Sequence, residues 1–82
     1  MNNKKLLHLA LRNPQNLRFA EVIKLAEAFG FRHARVSGSH HILNQPGIPQ
    51  LINLQNVGGK AKACQVRQLL KLVEKHNLQL RD

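Results

Sequence analysis

This sequence lacks the aromatic side chains on which many nucleic-acid-binding domains stack bases. It contains no tryptophan and no tyrosine, and its three phenylalanines, Phe19, Phe29 and Phe31, fall at positions where a core needs them. Domains of the RNA-recognition-motif and single-strand-binding types depend on exposed aromatic rings for stacking. The composition therefore argues against that mode of recognition.

Acidic residues and cysteine are also scarce. Four aspartate and glutamate residues stand against thirteen lysine and arginine residues, and the formal net charge is +9. Such an imbalance favours a polyanion such as nucleic acid as the partner, the alternative being that the charge only keeps a small protein in solution. So few acids cannot easily hold Mg²⁺ at a phosphate, and the single cysteine, Cys64, excludes an intramolecular disulfide and a zinc finger. We therefore expect no metal site and no cofactor.

Long apolar runs are absent as well. The run over residues 6–11 is interrupted by His8, is too short to span a bilayer and has no small-residue cleavage site, so it predicts neither a membrane helix nor a signal peptide. A chain of 82 residues is expected to bury one modest core. We expect a cytoplasmic protein without membrane contact, and a free form that is a monomer.

What the sequence does contain is three segments that predict helices, the second and third of them by the helical spacing of their apolar residues. The first covers residues 4–11 and ends ahead of Pro14, which biases the preceding residue away from helical geometry. The second covers residues 19–29 and is followed by Gly30, a typical C-terminal cap. The third is predicted over residues 60–76, directly after two glycines.

Between the second and third helices, short alternating segments predict three strands. They cover residues 31–36, 40–44 and 51–56, with turns at residues 38–39 and 46–47. The connections are short, so the sheet is expected to be antiparallel. The predicted fold is α+β, of α-β-β-β-α order, with two helices on one face of a three-stranded sheet and a short extra N-terminal helix.

The two-residue turn Gly38-Ser39 predicts which of two adjacent histidines faces outward. It pairs Ser37 with His40 and Val36 with His41, and side chains then alternate between the faces. One face, mostly apolar and expected against the helices, takes Ala34, Val36, His41 and Leu43. The open face takes His33, Arg35, Ser37, His40 and Ile42. A turn shifted by one residue would exchange the two histidines, so His41 is the alternative to His40 as a functional residue.

The pattern alone leaves the role of His40 open. An exposed histidine is most often one more solvated residue on a polar face. The hypothesis of a zinc site is less favoured still, because the side chains of His40 and His41 diverge and zinc needs three or four convergent ligands.

The last predicted helix has a basic stripe. Its members are Lys60, Arg67, Lys71 and Lys75, with Lys62 in the first turn. The start, "GGKAK", offers free N–H groups to a phosphate but lacks the spacing of a Walker A loop. Because Glu74 is the one acid among residues 60–75, phosphate binding by this stripe and Arg35 is favoured over an ordinary solvated face.

The element order and two segments carry a family resemblance. The segments are "GSHHI", residues 38–42, and "GGKAKACQVRQLLKLVEKHNL", residues 58–78. In these features, over about residues 17–80, the chain resembles the HicA family of toxin ribonucleases from bacterial toxin–antitoxin systems. The resemblance implies a fold like the double-stranded-RNA-binding domain, one catalytic histidine (His40 here), mRNA as substrate and a HicB-type antitoxin as partner.

On this interpretation, residues 1–16 form an N-terminal helical extension and residues 17–82 a HicA-like ribonuclease domain. RNA carries its own nucleophile, the 2′-OH, so the protein need only move a proton and stabilise charge on the phosphate. We therefore expect a metal-independent mRNA endoribonuclease in which His40 is general acid and base. The alternative is a non-catalytic RNA-binding module of the same fold.

Overall fold

The computed structural model describes residues 2–81, and the predicted α+β class is confirmed. Its elements are α1 (Asn3–Arg12), a single 3₁₀ turn (Pro14–Asn16), α2 (Phe19–Ala28), β1 (Arg32–Ser37), β2 (His40–Gln45), β3 (Ile48–Val57), β4 (Lys60–Ala61) and α3 (Ala63–Lys75). The strands form one antiparallel sheet of order β1-β2-β3-β4. This arrangement fits the expected fold of double-stranded-RNA-binding-domain type.

Local signals account for the helix ends. α1 begins where the Asn2 side-chain oxygen accepts the N–H of Lys5 at 2.9 Å, and it stops ahead of the buried Pro14. α2 is followed by Gly30, whose φ of +98° is a conformation that side chains disfavour. None of the helices within residues 2–81 combines the length and the hydrophobicity that a membrane-spanning segment needs.

The prediction that the last helix starts at Lys60 is wrong. Gly58 and Gly59 have φ angles of +59° and +87°, as the two central residues of a type I′ turn do, and they return the chain into β4. The other edge of β4 meets the segment ahead of α2, where the Ala61 N–H donates to the Leu17 carbonyl at 3.3 Å. The sheet therefore has a fourth strand, and α3 begins only at Ala63.

The predicted β1–β2 register is confirmed next to the turn and changes farther from it. Ser37 pairs with His40, as expected, but a bulge follows and brings His33 opposite Leu43. The extra residue, Ala34, has no partner in the ladder. His33 therefore lies on the helix-covered face, and its assignment to the open face is corrected.

The core lies between the sheet and the helices. The helix-covered face of β2 and β3 contributes Leu43, Ile52 and Leu54, all almost fully buried. The three phenylalanines are buried as predicted, and Leu6 and Ala10 make α1 part of the same core. Val36 differs from expectation: it is 54% exposed, and every other residue of β1, the strand at the end of the sheet order, is exposed as well.

Candidate active site on the open face of the sheet

The face of the sheet away from the core carries a shallow cleft around His40. It has a volume of about 320 Å³ and is lined by Arg35 and Ser37 of β1, His40 and Ile42 of β2, and Asn53 of β3. The ladder puts them together, because Ser37 is the partner of His40 and Ile42 pairs with both Arg35 and Asn53. Two predicted site residues, His40 and Arg35, thus share one cleft.

The imidazole of His40 is held by one ring nitrogen. Its Nδ1 lies 3.3 Å from the Asn53 side-chain oxygen, across the diagonal between neighbouring strands. An amide oxygen can only accept, so Nδ1–H donates. In the described part of the chain, no protein atom hydrogen-bonds to Nε2, and the ring is exposed. Nε2 is therefore the nitrogen that can take or give a proton.

The turn ahead of His40 is tied to β3. Gly38 has a φ of +59°, as the first central residue of a type II′ turn requires. The backbone N–H of Asn56 donates to the Ser39 carbonyl at 2.9 Å. The side-chain amide nitrogen of Gln55 donates to the Ser39 hydroxyl at 3.5 Å. These contacts fix the position at which the chain enters β2 and hence the direction in which His40 points.

His41 lies on the opposite, helix-covered face of the sheet, where its ring contacts Phe19 and His33. Its ring is half-buried, with its centroid 4.6 Å from that of Phe19 and its Nδ1 3.1 Å from Nε2 of His33. One of these two nitrogens donates a hydrogen and the other accepts it. Sequence reasoning missed this pair, because the bulge that moves His33 to the helix-covered face leaves no local signal, and His33 remains exposed there.

Lys60 joins the open face rather than the helix stripe. In β4 it is the partner of Val57, and partners across a ladder point to the same face. Val57 lies two residues after Gln55, which is the partner of His40. Lys60 and His40 therefore project from the same side of the sheet, two strands apart.

The remaining predicted phosphate-binding residues lie elsewhere. Lys62 is the residue that precedes α3, while Arg67 and Lys71 lie on α3 itself, and all three are exposed. Arg67 and Lys71 border a groove between α1 and α3, of about 390 Å³, whose other lining residues are Leu7, Leu11, Leu70, Val73 and Glu74. None of the three lines the His40 cleft.

Asn53 is a site residue that the sequence did not indicate. The strand over residues 51–56 was expected, but nothing in it specified its register against β2, and so nothing placed Asn53 beside His40.

Within residues 2–81, no group of three or more histidine, cysteine, aspartate or glutamate side chains could hold a metal ion.

Comparison with known proteins gives one match. The model of the family described as "HicA toxin of bacterial toxin-antitoxin" matches residues 19–74, which hold α2, the whole sheet and nearly all of α3. The His40 cleft lies within the matched range, and α1 lies outside it. No curated protein and no solved structure gives a significant match.

Proposed function

The chain belongs to the HicA family of toxins from bacterial toxin–antitoxin systems, and we propose that it is a metal-independent mRNA endoribonuclease with His40 as its catalytic residue. The observation that carries the proposal is the His40 cleft. The exposed imidazole of His40 is hydrogen-bonded through Nδ1, its Nε2 has no hydrogen-bond partner among residues 2–81, and Arg35 lines the same cleft. Cleavage of RNA by attack of the ribose 2′-OH requires a group that moves a proton and a cation that stabilises charge on the phosphate, and the cleft offers both.

The proposed reaction needs no cofactor and consumes no water. Nε2 of His40 takes the proton of a ribose 2′-OH, and the oxygen attacks the adjacent phosphorus. The bond from phosphorus to the 5′-oxygen breaks, and that oxygen receives the proton from Nε2. The products are a 2′,3′-cyclic phosphate and a 5′-hydroxyl, and His40 returns to its neutral state.

Arg35 is the proposed charge-stabilising residue. It lines the same cleft as His40, and a guanidinium can donate two parallel hydrogen bonds to phosphate oxygens. Negative charge builds on those oxygens during the attack, so a fixed cation nearby lowers the barrier. Lys60 extends positive charge along the same face. Lys62, Arg67 and Lys71 would bind phosphates of the RNA outside the cleft.

The proposed partner is a HicB-type antitoxin. Family membership implies an antitoxin, and the net charge of +9 favours an acidic protein surface for binding this chain. With mRNA as substrate, the proposed location is the cytoplasm.

The deciding experiment is cleavage of a long mRNA by the purified protein in excess EDTA. We expect cleavage to persist and the fragments to end in 2′,3′-cyclic phosphate. The His40→Ala variant, purified in parallel, is the control for a contaminating nuclease. Loss of cleavage that Mg²⁺ restores would refute the proposed mechanism. RNA binding without cleavage under any condition would leave the binding module as the function.

A further inference from the structure

We propose that Asn53 is the positioning residue for His40: its side-chain oxygen holds the imidazole with a hydrogen on Nδ1, so that proton exchange with RNA occurs at Nε2. The inference rests on the proposed function and deepens it. Asn53 is not expected to touch the reacting atoms, and its effect is expected to pass through His40.

The hydrogen bond specifies the tautomer. A neutral imidazole carries one hydrogen, on either nitrogen, and the partner of one nitrogen determines which it is. The Asn53 oxygen, 3.3 Å from Nδ1, has no hydrogen to donate, so in this orientation of the amide the hydrogen lies on Nδ1. Nε2 then bears the lone pair that the first proton transfer needs.

The same contact suits both halves of the reaction. After His40 has taken a proton, both of its nitrogens carry hydrogens, and Nδ1–H still donates to Asn53. The hydrogen bond to Asn53 is therefore kept in both protonation states of the ring. A partner that donated a hydrogen bond to Nδ1 would repel the protonated ring.

The sheet places Asn53 next to the His40 ring. It lies in β3, which has β2 on one side, and its side chain is half-buried on the open face. Gln55 is directly opposite His40 but reaches toward Ser39 instead, so the diagonal residue supplies the contact to the ring.

The first test measures which nitrogen of His40 carries the hydrogen and needs no cleavage assay. In ¹⁵N NMR of the full chain at a pH where His40 is neutral, Nδ1 should be protonated and Nε2 should carry the lone pair. Asn53→Ala should move hydrogen onto Nε2. Asn44→Ala, an exposed asparagine of β2 without a side-chain hydrogen bond in the described chain, is the matched control and should change nothing.

The second test reads kinetics. Asn53→Ala should lower kcat about tenfold with little change in KM, as expected for the loss of one orienting hydrogen bond. Asn53→Asp keeps the acceptor and adds a negative charge that stabilises the protonated ring. The acidic limb of the pH–rate profile should then move upward by roughly one pH unit. The charged or titratable residue that lines the cleft with His40 is Arg35, and Lys60 lies farther along the same face.

The outcomes separate this inference from the proposed function. An unchanged tautomer in a folded Asn53→Ala protein, or a pH–rate profile that Asn53→Asp leaves in place, would overturn the positioning role. If Asn53→Ala unfolds, the tautomer and profile of Asn53→Asp decide. If the tautomer responds as expected but His40→Ala cleaves like the parent, the proposed ribonuclease mechanism fails instead.

Discussion

Two faces of one β-hairpin place adjacent histidines in different surroundings. On the open face, His40 is exposed and is held through one nitrogen by Asn53. On the helix-covered face, His41 is half-buried against Phe19 and hydrogen-bonded to His33. The residue type is the same, so the difference in predicted role comes from the strand alternation that starts at the turn. The exposed ring is the one that we propose as catalytic, whereas the half-buried ring packs against Phe19.

The largest expected effect comes from removing the open-face ring. His40→Ala should lower the rate of RNA cleavage by about 10²–10⁴-fold, the usual contribution of one positioned acid–base group. The thermal melting curve and the affinity for RNA should stay near those of the parent, because an exposed ring contributes little packing. Cleavage assays and melting at matched concentration check this. Parental cleavage by His40→Ala would remove the functional difference between the two faces.

The opposite substitution should give the opposite result. His41→Ala loses the ring contact with Phe19 and leaves His33 without its partner. We expect the free energy of unfolding to fall by about 1–3 kcal/mol, measured by urea denaturation. Cleavage should survive in the folded fraction. A folded but inactive His41→Ala would instead move the catalytic assignment to His41.

His33 sharpens the second prediction. His33→Ala removes the hydrogen bond to His41 but not the contact of His41 with Phe19, so it should cost less stability than His41→Ala. The double variant should lose less than the sum of the two single losses, because the rings interact. Strictly additive losses would mean that the 3.1 Å contact contributes nothing to stability.

The smallest effects concern the basic residues. Replacing Lys60, Lys62 and Arg67 together by glutamine should weaken binding to all RNA sequences alike. The slope of log affinity against log salt concentration should flatten by roughly 0.7 per lost phosphate contact on single strands. Lys60→Gln alone should also slow cleavage slightly, because Lys60 shares its face with His40. An unchanged slope in the triple variant would identify these side chains as a solvated surface.

Much of the fold and the central part of the site follow from local signals. Apolar spacing predicted the helices, and the Gly38-Ser39 turn predicted that Ser37 meets His40, which is the observed pairing. A two-residue turn leaves no freedom in the pairing of its flanking residues, so it determines the faces of the nearest positions. The turn, together with the apolar and polar alternation of residues 33–43, therefore predicted the outward direction of His40.

Periodicity and one turn were enough to predict the α+β class, the core phenylalanines and the opposite directions of His40 and His41. Tertiary structure decided the position of His33, the fourth strand with Lys60, and the meeting of Asn53 with His40. A bulge and a diagonal contact have no period to read, and β4 is too short to show alternation even though the Gly58-Gly59 turn leads into it. They arise because backbone groups must find hydrogen-bond partners across the assembled sheet, and those partners are distant in sequence.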